Sequence, residues 1–278
     1  MKKNQPKWLG TLLTYALMLL GAAIFAGPFL WMLSTSLKFP ADQYTRTFIA
    51  DPATLENYAN LLRRLPELPI QMWNSFYLAA LTTIGQVITC SMAAFAFAAV
   101  NFKGRNFLFT LLLITFVIPP QVTLIPNFII FNWLGWVGTQ LPLWVPAFWG
   151  GAFGTFLIRQ YFLTIPRELA EAARMDGASL IRIFWDIYLP LAKPALAALA
   201  LFTFLGSWND LLHPLIYMPS DMQKTTITVG LSLFQTQYGG QWTIMMAGTV
   251  VSVLPIIILF FFTQKQFIQG IALSGVKR

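Results

Sequence analysis

The sequence predicts an all-α integral membrane protein with six transmembrane helices, and three observations carry that prediction. Apolar residues make up 57% of the 278 positions and charged ones only 10%, against about 25% charged in soluble domains. The intervals without charge are long enough to cross a hydrocarbon core about 30 Å thick, which takes roughly 20 helical residues. They are also continuous, whereas the strands of a membrane barrel would alternate apolar and polar positions in pieces of about ten residues.

The first span is expected over 9–36. A run behind Lys2, Lys3 and Lys7 also suits a secretory signal, but this one is too long for a signal core and lacks a clear small-x-small cleavage site, so an uncleaved span is expected. The second span covers 73–100 and holds Cys90, the one cysteine, which excludes an intrachain disulfide and reads as a small packing residue. The third, 107–131, contains Pro119, Pro120 and Pro126. Their missing donors should kink or break it near mid-membrane, either as a pathway lining or as a packing kink. Gln121 and Asn127 beside the break favour the pathway.

Gly135 and Gly138 turn the chain into the fourth span, 141–163. Within it Gly150 and Gly154 stand four apart, as Ala94 and Ala98 do in the second, a spacing that admits another helix close to the backbone and is weak evidence for a dimer face. The fifth span, 194–216, carries Asp210 and His213 three apart on one helix face, behind Trp208 and Asn209. Asp210 follows Pro194 by about 16 residues, or roughly 24 Å of helix, which sets it nearer the outer surface than the centre. An interfacial structural role and a pathway role both fit it. The sixth span is expected over 244–264.

Six crossings put both termini on one side, and the basic residues choose it. Thirteen of the 18, namely Lys2, Lys3, Lys7, Lys103, Arg105, Arg159, Arg167, Arg174, Arg182, Lys193, Lys265, Lys277 and Arg278, share that side with the termini, which are therefore expected to be cytoplasmic. Lys38, Arg46, Arg63, Arg64 and Lys224 lie opposite. The net charge of +8 thus orients the chain and meets anionic lipid, and no nucleic-acid partner is expected.

Outside the spans, Thr54 reads as the N-cap of a short interfacial helix with Leu55, Tyr58, Leu61 and Leu62 at helical spacing. Before the sixth span, the segment Phe234 to Trp242 reads as an outer loop with a Gly239-Gly240 tip. Its Tyr238, Trp242 and amides are what sugar rings and hydroxyls would meet, and equally what an aromatic belt contains.

The inner segment of about 164–190 is the richest in local signals. Ile165-Pro166 starts a helix, with Glu168 and Glu171 near its positive end. Arg167 with Glu171 and Glu171 with Arg174 stand at ion-pair spacing, and Leu169, Ala172 and Ala173 leave a narrow face able to enter a cleft on another protein. Gly177 permits a turn, Ser179 caps a second helix with Leu180, Ile183, Phe184 and Ile187 on its apolar side, and Pro190 should end it.

This arrangement, IPRELAEAARMDGAS followed by IYLPLAKPAL, closely resembles the cytoplasmic EAA loop of permease subunits of bacterial ATP-binding-cassette importers. The chain is further similar to the maltose-type, carbohydrate-uptake branch in PFLWMLSTSLK, ENYANLL, IPPQVTLIP, GSWNDLLHPLIYM and QKQFIQGIALSGVKR. The resemblance implies a single permease domain, 1–278, in the bacterial plasma (inner) membrane. It implies as partners a second permease in a heterodimer, two cytoplasmic ATPase subunits and an extracytoplasmic sugar-binding protein. In that family the loop is a coupling helix seated on the ATPase, which assigns Glu171, Ala172, Ala173, Asp176 and Gly177 to that contact. Gln121, Asn127, Asn209, Asp210, Tyr238, Gly239, Gly240 and Trp242 become candidates for the substrate pathway or for contact with the binding protein.

The chain has no G-x-x-x-x-G-K-[ST] loop, so ATP and Mg are expected at the partner ATPases, and no cofactor or metal is expected on this chain. An ion-driven secondary transporter would call for several intramembrane charges, where only Asp210 and His213 qualify. Neither paired carboxylates nor a nucleophile elbow suggests an enzyme. A maltose-like sugar, a phosphorylated polyol and an arabinan-type oligosaccharide all suit the sequence as substrate.

Overall fold

The computed structural model describes residues 7–218 and 221–275, and all regular structure among them is helical. Lys2, Lys3, Lys277 and Arg278, expected to mark the inner side, lie outside the described residues. In chain order the helices are α1 (Lys7–Ser36), α2 (Glu56–Arg64), α3 (Leu68–Ala99), α4 (Arg105–Val117), α5 (Pro120–Trp133), α6 (Leu141–Trp144), α7 (Ala152–Phe162), α8 (Arg167–Met175), α9 (Leu180–Ile183), α10 (Leu189–Leu191), α11 (Lys193–Trp208), α12 (Leu212–Tyr217), α13 (Ile227–Gln237) and α14 (Trp242–Gly275). Among the described residues, four stretches are long and apolar enough to cross a membrane: Gly10–Ser36, Leu68–Ala99, Leu141–Phe162 and Trp242–Gln264. Two bent pairs bring the number to as many as six if each pair is one crossing.

The chain divides into two compact units, Met1–Pro66 with Leu231–Leu254, and Glu67–Gly230 with Pro255–Arg278. In the first unit, α1 is apolar around its whole circumference and its apolar window is unburied, which suits a helix whose solvent is lipid. Its C-terminal carbonyls are satisfied from α2. Asn57, fully buried, donates through Nδ2 to the carbonyls of Ser36 at 2.8 Å and Lys38 at 2.7 Å, closing groups that every helix end leaves orphaned. The Tyr58 hydroxyl meets Ser36 Oγ at 2.8 Å, and Lys38, only 2% exposed, donates to the Thr45 carbonyl at 2.9 Å beneath the Trp31 ring. The phrases PFLWMLSTSLK and ENYANLL are therefore two halves of one lock. The cap position of α2 is Leu55, one residue beyond the expected Thr54, although Thr54 Oγ1 does accept from the Glu56 amide at 3.1 Å. Leu61 is buried, whereas Leu55 and Leu62 are exposed, so only part of the expected apolar face packs within the chain.

The second unit is organised around α3, which packs along α11 and α7. Ala79, Cys90, Ala94 and Ala98 on α3 are buried. A Cβ at Gly154 would lie 2.7 Å from Cys90 Sγ and 3.0 Å from Leu199 Cδ1. The small-residue positions of the second and fourth spans thus serve helix packing inside this chain, and Cys90 is the packing residue it was expected to be. At the opposite end of α3, Gln71 and Asn74 donate to the carbonyls of Met222, Gln223 and Thr225, and Ser75 Oγ accepts from the Ile227 amide. These bonds hold the approach to α13.

Three expected spans are interrupted. The third breaks at Ile118-Pro119, where α4 and α5 meet at 98°. These helices have 13 and 14 residues, about 20 Å each at 1.5 Å per residue, and neither alone reaches across the hydrocarbon. The fourth contains a 3-10 stretch, Val145–Trp149, and then Gly150, whose φ of 82° is cheap only for glycine. The fifth stops at Trp208 instead of continuing to 216, and α12 resumes only at Leu212. Pro190 does not end the second inner helix: after the π-helical stretch Phe184–Tyr188 it falls in the first turn of α10, where a missing N–H is harmless, and the chain bends by 78° at Ala192. The segment expected as an outer loop from Phe234 is helical to Gln237 as the end of α13, leaving only 238–241 between α13 and α14.

Candidate functional site

Three places in the fold combine exposed or unpaired polar groups with a fixed backbone. The first is the segment from Ile165 to Leu191. Pro166 takes the N-cap position of α8, and Glu168 lies in the first turn and Arg174 in the last, a charge order that complements the helix dipole. The helix ends in a Schellman motif: the Ala178 amide donates to the Ala173 carbonyl at 2.9 Å and the Gly177 amide to the Arg174 carbonyl at 3.0 Å. Gly177 provides the left-handed residue this motif needs, at φ 81°. Ser179 Oγ then accepts from the Arg182 amide at 3.3 Å, capping α9 as expected.

The rear of this segment is anchored in aromatic packing. Tyr188 stands edge-on to Phe95 of α3 at 5.0 Å and to Phe162 of α7 at 5.1 Å, and Phe184 lies 5.3 Å from Phe95. Ala170, Ala173 and Ala178 rest on the same cluster. The outward side is bare: Glu171, Ala172, Asp176 and Gly177 are exposed, and Met175 is 88% exposed. The small face expected from Leu169, Ala172 and Ala173 is therefore divided, Ala173 turning half-buried toward the core while the other two face out. Neither Arg167 nor Arg174 pairs with Glu171. The three surround a hollow shared with Asn101 and Tyr188, and the ion pair of the segment is Arg182 with Asp186 at 3.1 Å.

The second place is a cavity of about 550 Å³ at the breaks in the third and fourth spans. Its backing is a polar row on α3, where Thr82, Gln86, Thr89 and Cys90 share one face. Thr82 donates to the Leu143 carbonyl at 3.2 Å, the Thr89 hydroxyl is shared between the Gly85 carbonyl of its own helix at 2.7 Å and that of Ala147 at 3.3 Å, and the Cys90 thiol between Gln86 Oε1 at 3.1 Å and the Gly151 carbonyl at 3.5 Å. Side chains of α3 thus occupy carbonyls freed by the irregular backbone of the fourth span, as irregular backbone at membrane depth requires. Gly85 makes the approach possible, since a Cβ there would meet the Phe148 ring at 2.6 Å. The breaks expected at Pro119 do border the cavity, through Ile118 and Pro120, but Gln121 and Asn127 do not line it: Gln121 is exposed and Asn127 half-buried, both on α5. The polar lining comes from Thr82, Gln86, Thr115 and Thr203, which sequence reasoning passed over. The available signal was an amide in the middle of an apolar helix at Gln86, opposite the Gly150-Gly151 pair.

The expected pathway residues Asn209 and Asp210 sit in the gap between α11 and α12. Asn209 Nδ2 donates back to the Leu205 carbonyl at 2.9 Å. Asp210 accepts from the His213 amide at 3.2 Å through Oδ1 and meets His213 Nδ1 at 2.8 Å through Oδ2, so its carboxylate organises the first turn of α12. The Asp210 carbonyl accepts from Thr228 Oγ1 at 2.8 Å. The pair is real, but it bridges a break and does not lie on one continuous helix.

The third place belongs to the first unit. Tyr238, Gly239, Gly240 and Trp242 line a concavity of about 160 Å³ between the end of α13 and the start of α14. Arg64 lies 5.2 Å from the centre of the Tyr238 ring and donates to Gln241 Oε1, and the Trp242 amide donates to Gln43 Oε1 at 3.0 Å. The tip carries the one conformation there that favours glycine, Gly240 at φ 94°.

The chain matches the family described as "Binding-protein-dependent transport system inner membrane component" over residues 68–272, a match that begins where α3 begins. It is 36% identical to the arabinooligosaccharides transport system permease protein of Halalkalibacterium halodurans, covering 100% of both chains. It is 34% identical to the trehalose/maltose transport system permease protein of Thermococcus litoralis, covering 94% of this chain and 96% of that one. Among solved structures, a bacterial ABC transporter involved in the import of the acidic polysaccharide alginate has a chain that superposes with a TM-score of 0.81 at 24% identity, covering 93% of this chain and 96% of that one, a likeness of fold.

Proposed function

This chain belongs to the binding-protein-dependent transport system inner membrane components, and on that premise we propose that it is one permease of an ATP-driven importer of a sugar or oligosaccharide. It is a transport component and not an enzyme. In the proposed assembly it pairs with a second permease to form the path. An extracytoplasmic binding protein delivers the sugar, and two ATPase subunits in the cytoplasm use ATP and Mg. The chain crosses the bacterial inner membrane six times as a single permease domain with both termini inside, the bent pair α4 and α5 making the third crossing and α11 opening the fifth, after the inner segment.

The coupling contact is assigned to the exposed surface of α8 and its terminating turn, with Glu171, Ala172, Asp176 and Gly177 facing the ATPase and Ala173 bracing the helix from behind. The observation that carries this assignment is the contrast between the two sides of α8. One side rests on an aromatic cluster shared with α3 and α7, and the other bears Met175 and four candidate contacts in the open. A short helix so mounted transmits a push to the spans without deforming. The energy enters as a difference in ATPase affinity between inward and outward states. Tyr238, Gly239, Gly240 and Trp242 are assigned to the binding-protein side.

Cysteine crosslinking in the assembled importer tests the assignment. Ala172→Cys should form a crosslink to an ATPase subunit whose yield changes between nucleotide-free and ATP-bound states. A crosslink only to the external binding protein, or none in either state while uptake proceeds, would refute it.

A further inference from the structure

We propose that the cavity at the breaks in the third and fourth spans is a contact site for an uncharged glycan, held by this chain itself. The inference rests on the transport reading and narrows it to a substrate class. The cavity's volume of about 550 Å³ falls in the usual range for small-molecule sites, roughly 300–1,000 Å³. Its lining combines the polar Thr82, Gln86 and Thr203 with the rings of Phe116, Phe153 and Phe202. Phe153 stands 6.1 Å from Phe116 on one side and 6.1 Å from Phe202 on the other, so the rings form a continuous apolar wall.

Two groups point to a ligand. Gln86 Oε1 accepts from Cys90 at 3.1 Å, but its Nε2 donors have no partner among the described residues, and the Thr203 hydroxyl has none either. Against hydrocarbon, unpaired amide and hydroxyl donors are penalised, so a wet cavity that admits hydroxylated solute explains them. Hydroxyls, an amide and aromatic faces are what a sugar's hydroxyl edge and its C–H face require. The lining includes no Lys, Arg or His to neutralise a phosphate or a uronate, and no Asp or Glu to hold a cation. The chemistry therefore favours neutral saccharides over phosphorylated polyols and acidic polysaccharides.

The test uses the complete importer in proteoliposomes. Cys90 is buried and supplies the background. In a Thr203→Cys variant the new thiol should react with a small water-soluble maleimide. A neutral trisaccharide such as arabinotriose should slow that reaction at least threefold and trigalacturonate should not. In parallel, Thr203→Val, of nearly the same shape, and Gln86→Leu should each raise the arabinotriose concentration for half-maximal uptake by about three- to tenfold, the worth of one neutral hydrogen bond. No labelling of the new thiol, equal protection by both sugars, or unchanged uptake in both variants would overturn the cavity assignment while wild-type uptake leaves the importer reading standing. A wild-type importer that moves no saccharide would remove both.

Discussion

The Gly177→Ala change isolates a backbone effect at the proposed coupling contact. A Cβ at Gly177 would meet nothing within 4 Å, so the methyl group is not sterically excluded. Its cost is conformational, because φ is 81° and the Schellman bonds from Gly177 and Ala178 hold it there. Holding alanine in that region costs about 1–2 kcal/mol, which moves the turn from its native geometry by a factor of roughly 5–30 in population. Asparagine is bulkier but visits the left-handed region far more readily. In reconstituted importer, sugar taken up per ATP hydrolysed should therefore fall several-fold in Gly177→Ala and stay near wild type in Gly177→Asn. If the asparagine variant is as impaired as the alanine one, or worse, the loss follows side-chain size at a crowded contact, and the backbone argument is refuted.

Gly154→Ala should destabilise the protein by about 1–3 kcal/mol through overpacking, because its Cβ falls 2.7 Å from Cys90 Sγ. Thermal unfolding in detergent should show a loss that Cys90→Ala partly rescues, and additive losses would show that the two do not touch. Asn57→Ala strips donors from the carbonyls of Ser36 and Lys38 and should cost about 1–3 kcal/mol, read as a lower melting temperature. Asp210→Asn keeps an acceptor for the His213 amide and should support near-normal uptake, whereas Asp210→Ala should lose about 1 kcal/mol of cap stability. Abolished uptake in the asparagine variant would assign the carboxylate's charge a role beyond capping.

What could be read in advance was local. The start of α8, the turn at Gly177 and the Ser179 cap are each set by residues within four positions, and all three occur where the sequence indicates. The break at Pro119 was legible because proline acts on its own backbone, although its angle was not. The break at Gly150 was missed because two glycines in an apolar run also suit close packing, and Gly154 does pack closely. Hidden most deeply was the polar row on α3, since Thr82 and Thr89 look like ordinary helix residues until carbonyls 61 and 58 positions away meet them. The helix α13 was passed over, its end from Phe234 being read as loop, because Asn74, Ser75 and the Asp210 carbonyl hold its approach and first turn from afar.

Thr82, Thr89 and Cys90 make α3 the splint of the fourth span. Parting them would take from the carbonyls of that span the donors the chain itself supplies. A tilt of α3 that keeps these bonds carries the irregular backbone of the fourth span along with it.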